Sequence, residues 1–570
     1  MKKLQKRHNQ VVFKPYQQDQ MWLFPPSLGE MIPPHHIVRM INQVIDGMDL
    51  QPILSTYKGG GTSSYHPRMM LKALVYGYVC KKYSSRSIEK ALKENICFMW
   101  LCGMQQPDHN SLNRFRRGKL KDTVKSVFAH ILSLLIEEGQ VRLQDYYLDG
   151  TKMESVANRY TFVWAKNVER YKSSLLSKIA ALLEKIESTN DKAEQEATDR
   201  EVTEQAQATR TKEKIEDSQA LQQTINQLNQ EVSEQLTENK TLKKQIKQLK
   251  KEYLPKLAKY EEQERLLDGR NSYSKTDPDA TFMRTKDDHM KNGQLKPCYN
   301  WQFGTENQYV INYTTHQTSS DMSVFTIHMD DTLDLLDSID APVPKRAGAD
   351  AGYGSEENYE YLEQKGIEAF VKYPGYYAEC TGKGKNQKNP FYWSNLYYNK
   401  EQDYFVCPMG QHLTYRKTVK QKTKTGYQQQ VKLYQAQNCQ GCPLRGVCHK
   451  AKENRIIQFN PKSNQYRQQA KKRLQTLRGI RSKKQRNIDV EPVFGHIKQC
   501  RHFRRFLLTG LDGVNIETGL LVIAHNLKKY DVNLKKQGIT RSIRPDSPPN
   551  NPQIIALLPD FEEKTGKIRA

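Results

Sequence analysis

Three acidic residues in this chain share a setting that most of its 63 acids lack. Each adjoins Gly or Pro and an aromatic or apolar run, at the end of a predicted element. Asp149 in YYLDGTKM and Asp350 in AGADAGYGS are expected to terminate neighbouring strands. Glu491 in RNIDVEPVFGHIK is expected at a helix start, because Pro492 suits a first helical turn and disrupts an interior one. Three carboxylates brought together offer hard oxygen ligands for two divalent cations. Such a pair can activate a nucleophile and stabilise a leaving oxygen in phosphodiester cleavage. Among so many acids the trio alone does not single out that chemistry, since most surface carboxylates are simply solvated.

A second set is soft. Cys407, Cys439, Cys442 and Cys448, with the close pair in CQGC, have the composition of a tetrahedral structural Zn2+ site, and His449 or His412 could replace one thiolate. The competing reading is four reduced cysteines buried in a small insertion. Trp164, Tyr160 and Trp301 are candidates for stacking on displaced bases, with core packing favoured for each. Asp277 and Asp279 in TDPDATFM read as a turn or helix cap and stay outside the catalytic set.

Charge points to the partner. Lys and Arg total 89 and the formal net charge is +26, which favours a polyanion over a small neutral substrate. From Lys462 to Arg505 there are 14 basic residues against only Asp489 and Glu491. Arg481, Lys483, Lys484, Arg486, Lys498, Arg501, Arg504 and Arg505 are the expected phosphate contacts, with DNA, RNA and anionic membrane all candidate partners on charge alone. No apolar run reaches the length of a membrane span and the basic start lacks an apolar signal core, so a cytoplasmic, nucleoid-associated protein is expected.

The elements that must position these groups follow from periodicity. Residues 1–140 read as a helical DNA-binding or dimerisation domain, with His66-Pro67 opening one helix, Ser84-Ser85 capping a second and Asp108 to Ser111 capping a third. A first core segment, 141–164, holds a strand ending near Asp149. A helical insertion, 165–265, follows. Its heptad positions Leu221, Ile225, Leu228, Val232, Leu242, Ile246 and Leu249 predict a coiled coil, interrupted by Gln235 and Asn239. An earlier arm with Leu175, Ile179, Leu182 and Ile186 favours a hairpin turning within Ser188 to Gln207, and an intermolecular zipper is the alternative. Residues 266–390 continue the core, with antiparallel strands in YNWQFGTE and QYVINYTTH, then a strand ending at Asp350, a Gly-Tyr-Gly turn and a helix. The cysteine-rich insertion is 391–455, basic helices and the end of the core are 456–535, and the Pro-rich tail 536–570 is expected to be disordered.

The chain resembles the DDE transposases of bacterial insertion sequences from Phe13 to about Tyr530. FPPSLGEMIPPHHIVRMINQVID, YHPRMMLKALVYGY and SSRSIEKALKEN are similar to the family's helical amino-terminal domain; YLDGTKMES, ADAGYGSEENY and VEPVFGHIK are similar to its three acidic motifs in order. The resemblance implies an α/β fold, a ribonuclease-H-like mixed-sheet core in which Asp149, Asp350 and Glu491 bind two Mg2+ or Mn2+ ions. It places Lys498 on the basic residue seven positions after the Glu, where it would grip a phosphate. Some relatives carry Tyr and Arg upstream of that Glu; here Arg486 is the candidate Arg, and no matching Tyr is present.

The implied activity is cleavage at the terminal inverted repeats and joining of the 3'-OH ends to target DNA by a homodimer or larger assembly. A nuclease of the same core without strand transfer, and an inactive or domesticated DNA-binding protein, are the alternatives.

Overall fold

The computed structural model describes residues 26–57, 63–197, 217–234, 240–285, 294–384 and 388–538. The expected turn at 188–207 lies partly outside these residues, and Gln235, Asn239, the tail beyond 538 and the start of the resemblance at Phe13 lie wholly outside them.

Among the described residues seven helices come first: α1 (Ile37–Asp46), α2 (Gln51–Leu54), α3 (Pro67–Val79), α4 (Ser85–Glu94), α5 (Ile96–Leu101), α6 (His109–Gly118) and α7 (Val124–Glu137). The predicted starts are present. The side chains of His66, Ser84 and Asp108 accept from the backbone N–H groups of Arg68, Ser87 and Ser111, satisfying donors that a helix start leaves without partners.

Strand β1 (Asp145–Glu154) opens the core. It does not end near Asp149 as expected but runs on to Glu154, because Gly150 is a packing residue and not a stop. A Cβ there would fall 2.4 Å from Gln302 Nε2 on the neighbouring strand. After β2 (Phe162–Trp164) the chain enters α8 (Ala165–Ala197), α9 (Ser218–Glu234), α10 (Lys240–Gln248) and α11 (Leu254–Leu267), and returns on β3 (Ser272–Ser274). β2 and β3 pair antiparallel, Trp164 opposite Ser272, so the insertion leaves and re-enters the core at one place. Leu175, Ile179 and Ile186 share one buried cluster with Leu221, Ile225, Leu242, Ile246 and Leu249, so these seam residues are covered by their own chain.

β4 (Thr281–Arg284), β5 (Leu295–Glu306), β6 (Tyr309–His316), α12 (Phe325–Asp337), β7 (Arg346–Ala349), α13 (Glu356–Gln364) and β8 (Glu368–Val371) complete the core sheet. Its order is β4–β5–β1–β7–β8, with β6 also on β5. β5 is antiparallel to β1 and β6, whereas β7 is parallel to β1 and β8. The fold is therefore mixed α/β with a helical amino-terminal region.

Beyond α14 (Tyr376–Thr381), strands β9 (Tyr397–Asn399), β10 (Tyr404–Val406), β11 (His412–Lys422), β12 (Gln428–Ala436) and β13 (Ile456–Phe459) form a separate antiparallel sheet with its own small core around Phe405, Leu413 and Tyr434. The basic region then folds as α15 (Pro461–Gln475), α16 (Leu477–Asp489), α17 (Glu491–Gly495) and a π-helical turn (His496–Cys500), before the long α18 (Gly510–Lys536).

Helices cover both faces of the core sheet. On one, Tyr146 bonds His328 and Thr332 of α12 at 2.7 and 2.9 Å, passing so close over Gly304 that a Cβ there would lie 1.8 Å from its hydroxyl. On the other, Phe494 of α17 stacks on Phe303, and Trp301 donates to Thr518 of α18 at 2.8 Å.

Candidate active site

Asp149 lies in β1, one residue past the point where β7 stops pairing. Leu148 is the partner of Ala349, and Asp350 is the first residue beyond β7. The two aspartates therefore stand at the same level of adjacent parallel strands, Asp149 within β1 and Asp350 just past the end of β7. Asp350 then turns the chain, its Oδ1 accepting from Gly352 N at 2.8 Å. Tyr353 in that turn is buried and donates to Gln302 Oε1. Burial first, then the nearby charges of Asp321, Asp149 and Asp350, push the Tyr353 phenol well above its ordinary range, and Arg486 opposes them weakly.

Residues directly opposite in an antiparallel pair share a face. Asp149 is opposite Phe303, and Phe303 carries Phe494 at 5.0 Å between ring centroids. Glu491 is three residues before Phe494 on α17, so it belongs to the helix turn that packs on the Asp149 face. Glu491 does begin α17 with Pro492 behind it, as expected, but the start is not a free one: Val490 is itself helical and links α17 to α16. Lys498, on the π-helical turn, donates to Thr151 Oγ1 at 2.7 Å and to the Lys152 carbonyl at 3.2 Å. Thr151 is two residues beyond Asp149 in β1, hence on the same face.

Protein donors hold Asp149, among them a backbone N–H and a guanidinium. Gly150 N donates to Oδ1 at 2.8 Å, and Arg486 from α16 pairs with Oδ2 at 2.9 Å, both side chains being largely buried. Arg486 Nε is buried with no hydrogen-bond partner. Among the described residues, no three His, Cys, Asp or Glu side chains are gathered into a group that could hold a metal ion. The donor set is nevertheless hard oxygen at Asp149, Asp350 and Glu491, and soft sulfur in the second sheet.

There, Cys407, Cys439, Cys442 and Cys448 line one small cavity of about 30 Å3 together with His449. Both ring nitrogens of His449 are buried and unpartnered. Arg455 Nη1 donates to Cys448 Sγ at 3.1 Å, and the Arg455 backbone N–H to Cys439 Sγ at 3.4 Å. His412 stacks on Tyr404 instead of lining the cavity, so it is not a substitute ligand.

The expected DNA contacts divide by exposure. Arg481, Lys484, Arg504 and Arg505 are exposed, and Lys483 is half-buried, donating to Tyr376 Oη at 2.9 Å. Two expectations are corrected. Arg501 is only 1% exposed and donates to the Tyr78 carbonyl, which ties the end of the basic region to α3; Arg486 is buried on Asp149. Neither guanidinium is available to a phosphate. Trp301 is fully buried and takes no part in base stacking, whereas Tyr160 is 80% exposed. Asp277 and Asp279 act as caps, as read from the sequence, but of a distant helix: they accept from Gly510 N and Leu511 N at 3.0 and 2.8 Å at the start of α18.

Sequence reasoning missed Gln302, Asp321, Lys152 and Tyr353. Asp321 accepts from Lys152, Asn300 and Gln302, each within 2.9 Å, and Gln302 holds Tyr353. Only Tyr353 carried a signal, as the aromatic inside the Gly-Tyr-Gly turn. Among the described residues, no helix is long and apolar enough to cross a membrane.

Two family models match the chain. One, described as Transposase DDE domain, covers residues 406–531, and one described as Transposase domain (DUF772) covers 26–118. The first span holds Glu491, Lys498 and the four clustered cysteines, the second holds α1 to α6, and Asp149 and Asp350 lie outside both. No curated protein and no solved structure matches the chain.

Proposed function

We propose that this chain is an insertion-sequence DDE transposase, a reading that the two family models support, and that it cuts DNA at the inverted repeats of its element and joins the 3' ends to target DNA. Asp149, Asp350 and Glu491 would hold two Mg2+ or Mn2+ ions. The observation that carries this reading is the convergence of β1, β7 and α17: two aspartates stand at one level of adjacent strands, and the helix of Glu491 packs on the cross-strand partner of Asp149. The mixed sheet, antiparallel on one side of β1 and parallel on the other, supports a ribonuclease-H-like core.

When bound, the ions supply an activated water and a stabilised leaving oxygen. The chain's own residues do the rest. Gly150 N fixes one oxygen of Asp149, the buried polar set of Asp321, Gln302 and Tyr353 holds the turn that presents Asp350, and Lys498 sits one strand step away to neutralise a phosphate. Arg486 holds the Asp149 carboxylate in place through Oδ2. Exposed Arg481 and Lys484 on α16 would bind the duplex flank, and two copies of the chain would pair the two element ends.

Replacing Asp149, Asp350 or Glu491 by Ala is expected to abolish cleavage of an inverted-repeat duplex while leaving its affinity within a few-fold, because each removes a metal ligand and no basic side chain. Full cleavage by any one of the three at saturating Mg2+ removes that residue from the site. Precleaved ends test strand transfer: hydrolysis without joining would make the protein a nuclease of the same core.

The second sheet is read as a zinc module. Four thiols and the two unpartnered nitrogens of His449 around one cavity are a donor set suited to Zn2+. Elemental analysis is expected to find about one Zn per chain, with Cys439→Ser lowering stability more than single-turnover rate. Reduced, folded protein free of zinc would favour buried thiols.

A further inference from the structure

A cleft of about 400 Å3 opens beside Lys498 at the far end of β1, and its walls are basic. Lys152, Arg159, Lys296, Lys498, Arg504 and Arg505 line it, and among the described lining residues Glu154 is the only acid. That carboxylate already serves two of the cations, Arg159 at 2.8 Å and Lys296 at 3.4 Å. Arg505 is fixed as part of the wall, its guanidinium donating to the carbonyls of Ser155, Val156 and Ala157. Lys152 is paired with Asp321 at 2.8 Å. The excess of positive charge remains after these pairings. One residue beyond Arg159 stands Tyr160, 80% exposed.

We propose that this cleft binds the backbone of a single DNA strand, with Tyr160 stacking on one of its bases. The inference rests on the transposase reading for its choice of DNA and goes beyond it in assigning Arg159, Tyr160 and Lys296 to a strand that leaves the catalytic acids along β1. The volume, about 400 Å3, falls within the range of small-ligand pockets, about 300 to 1,000 Å3, the scale of a segment of one strand seated in the cleft and not of a duplex enclosed by it. Tyr160 does not line the cleft but follows Arg159, which does, and clustered cations with an exposed aromatic ring next in the chain are the elements of sequence-tolerant single-strand binding: phosphates meet charge, and any base presents a face to stack. A strand displaced from its complement at the cut site would enter the cleft along β1, and Lys498 would be the group shared between the cut phosphate and the cleft.

The test uses the full chain in chelator, without divalent cations, and fluorescence anisotropy of labelled oligothymidine and of a mixed-sequence duplex over a range of salt. Tyr160→Ala is expected to weaken oligothymidine binding about tenfold while duplex binding changes less than about twofold. The double variant Arg159→Ala, Lys296→Ala is expected to reduce the salt slope for oligothymidine by about 1.4, at about 0.7 for each single-strand phosphate that is no longer neutralised. Wild-type affinity and slope in both variants would overturn the cleft, and so would tighter binding of oligouridine than of oligothymidine. Tyr160 is exposed, so its variant remains informative if the double variant does not fold. The outcome separates from that of the catalytic assay: normal cleavage with unaffected variants rejects the cleft alone, and affected variants in a chain that cuts no DNA reject the catalytic reading alone.

Discussion

In the proposed site, Lys498 would stand where gripping DNA and cutting it meet. Its ammonium is held by Thr151 Oγ1 and the Lys152 carbonyl, both on the strand that carries Asp149. A phosphate entering beside Asp149 would find a cation whose position is already set. Lys498→Ala is therefore expected to weaken end binding modestly and lower its salt slope by about one unit. Single-turnover cleavage of saturating DNA should fall further, roughly 100-fold, because a misplaced scissile phosphate loses alignment with the attacking water. A wild-type rate in that assay would remove Lys498 from the active site. Arg486 and Arg501 show why residue type alone does not assign a role in a basic segment. Both belong to a run that reads as a phosphate-binding face, yet one neutralises a carboxylate and the other ties a loop to α3.

At the scale of elements, the π-helical turn after α17 is pinned to α18 through two histidines. His496 Nδ1 and His525 Nδ1 are 3.2 Å apart, and His525 Nε2 meets the Gln308 carbonyl at 2.9 Å. Two imidazoles this close cannot both be protonated. Burial first, then Arg501 and lysines 81, 528 and 529, lower His496 to about 4; burial first, with His496, Arg501 and Lys529 adding and the Gln308 carbonyl opposing, lowers His525 to about 3. The unfolded chain takes up protons near the ordinary value of about 6.5, whereas the folded chain resists until near 4. Stability from this pair is thus full above about 6.5 and declines as pH falls toward 4. His525→Gln, which keeps a donor for Gln308, is expected to reduce the drop in melting temperature between neutral and mildly acidic buffer. An unchanged drop would assign the acid sensitivity to other groups, such as buried His316 and His328, which burial also lowers.

At the scale of the whole molecule, the amino-terminal helices and the core sheet share one hydrophobic interior. Leu71, Leu74 and Tyr78 of α3, Phe128 and Leu132 of α7, Trp301 and Phe303 of β5, and Leu520, Leu521 and Ile523 of α18 belong to a single buried cluster. α18 is the common wall: it lies against α3, α7 and β6, and its start is capped from residues 277 and 279. A fragment spanning residues 26–140 leaves the α18-facing sides of α3 and α7 in water, at a cost of about 25 cal/mol for each Å2 of apolar surface exposed. Such a fragment is expected to show no cooperative melting, while the full chain melts these helices together with the sheet. A sharp transition in the isolated fragment would make them an autonomous unit.

Much of this protein is determined locally and can be read from its sequence. Helix starts at Pro67, Ser85 and His109 follow from one cap residue each, the β5–β6 pair follows from alternation, and the turn after Asp350 follows from its glycines, because each depends on neighbours within a few positions. The three acids were legible for a different reason: each lies within two residues of Gly or Pro, and together they resemble a known family's motifs, although Asp149 proved to lie inside its strand and not at the end of it. Only the tertiary structure decided the rest. Whether a basic residue meets solvent, as Arg481 does, or is buried on a carboxylate, as Arg486 is, depends on which helix face the sheet covers, and five residues of sequence separation carry no such information. The continuation of β1 beyond Asp149 depends on Gln302, and the capping of α18 on Asp277, contacts made across 152 and 233 residues of chain. The basic cleft likewise joins β1, β5 and the segment after α17, whose charges are separated in sequence and meet only when the sheet and the helices on it have formed.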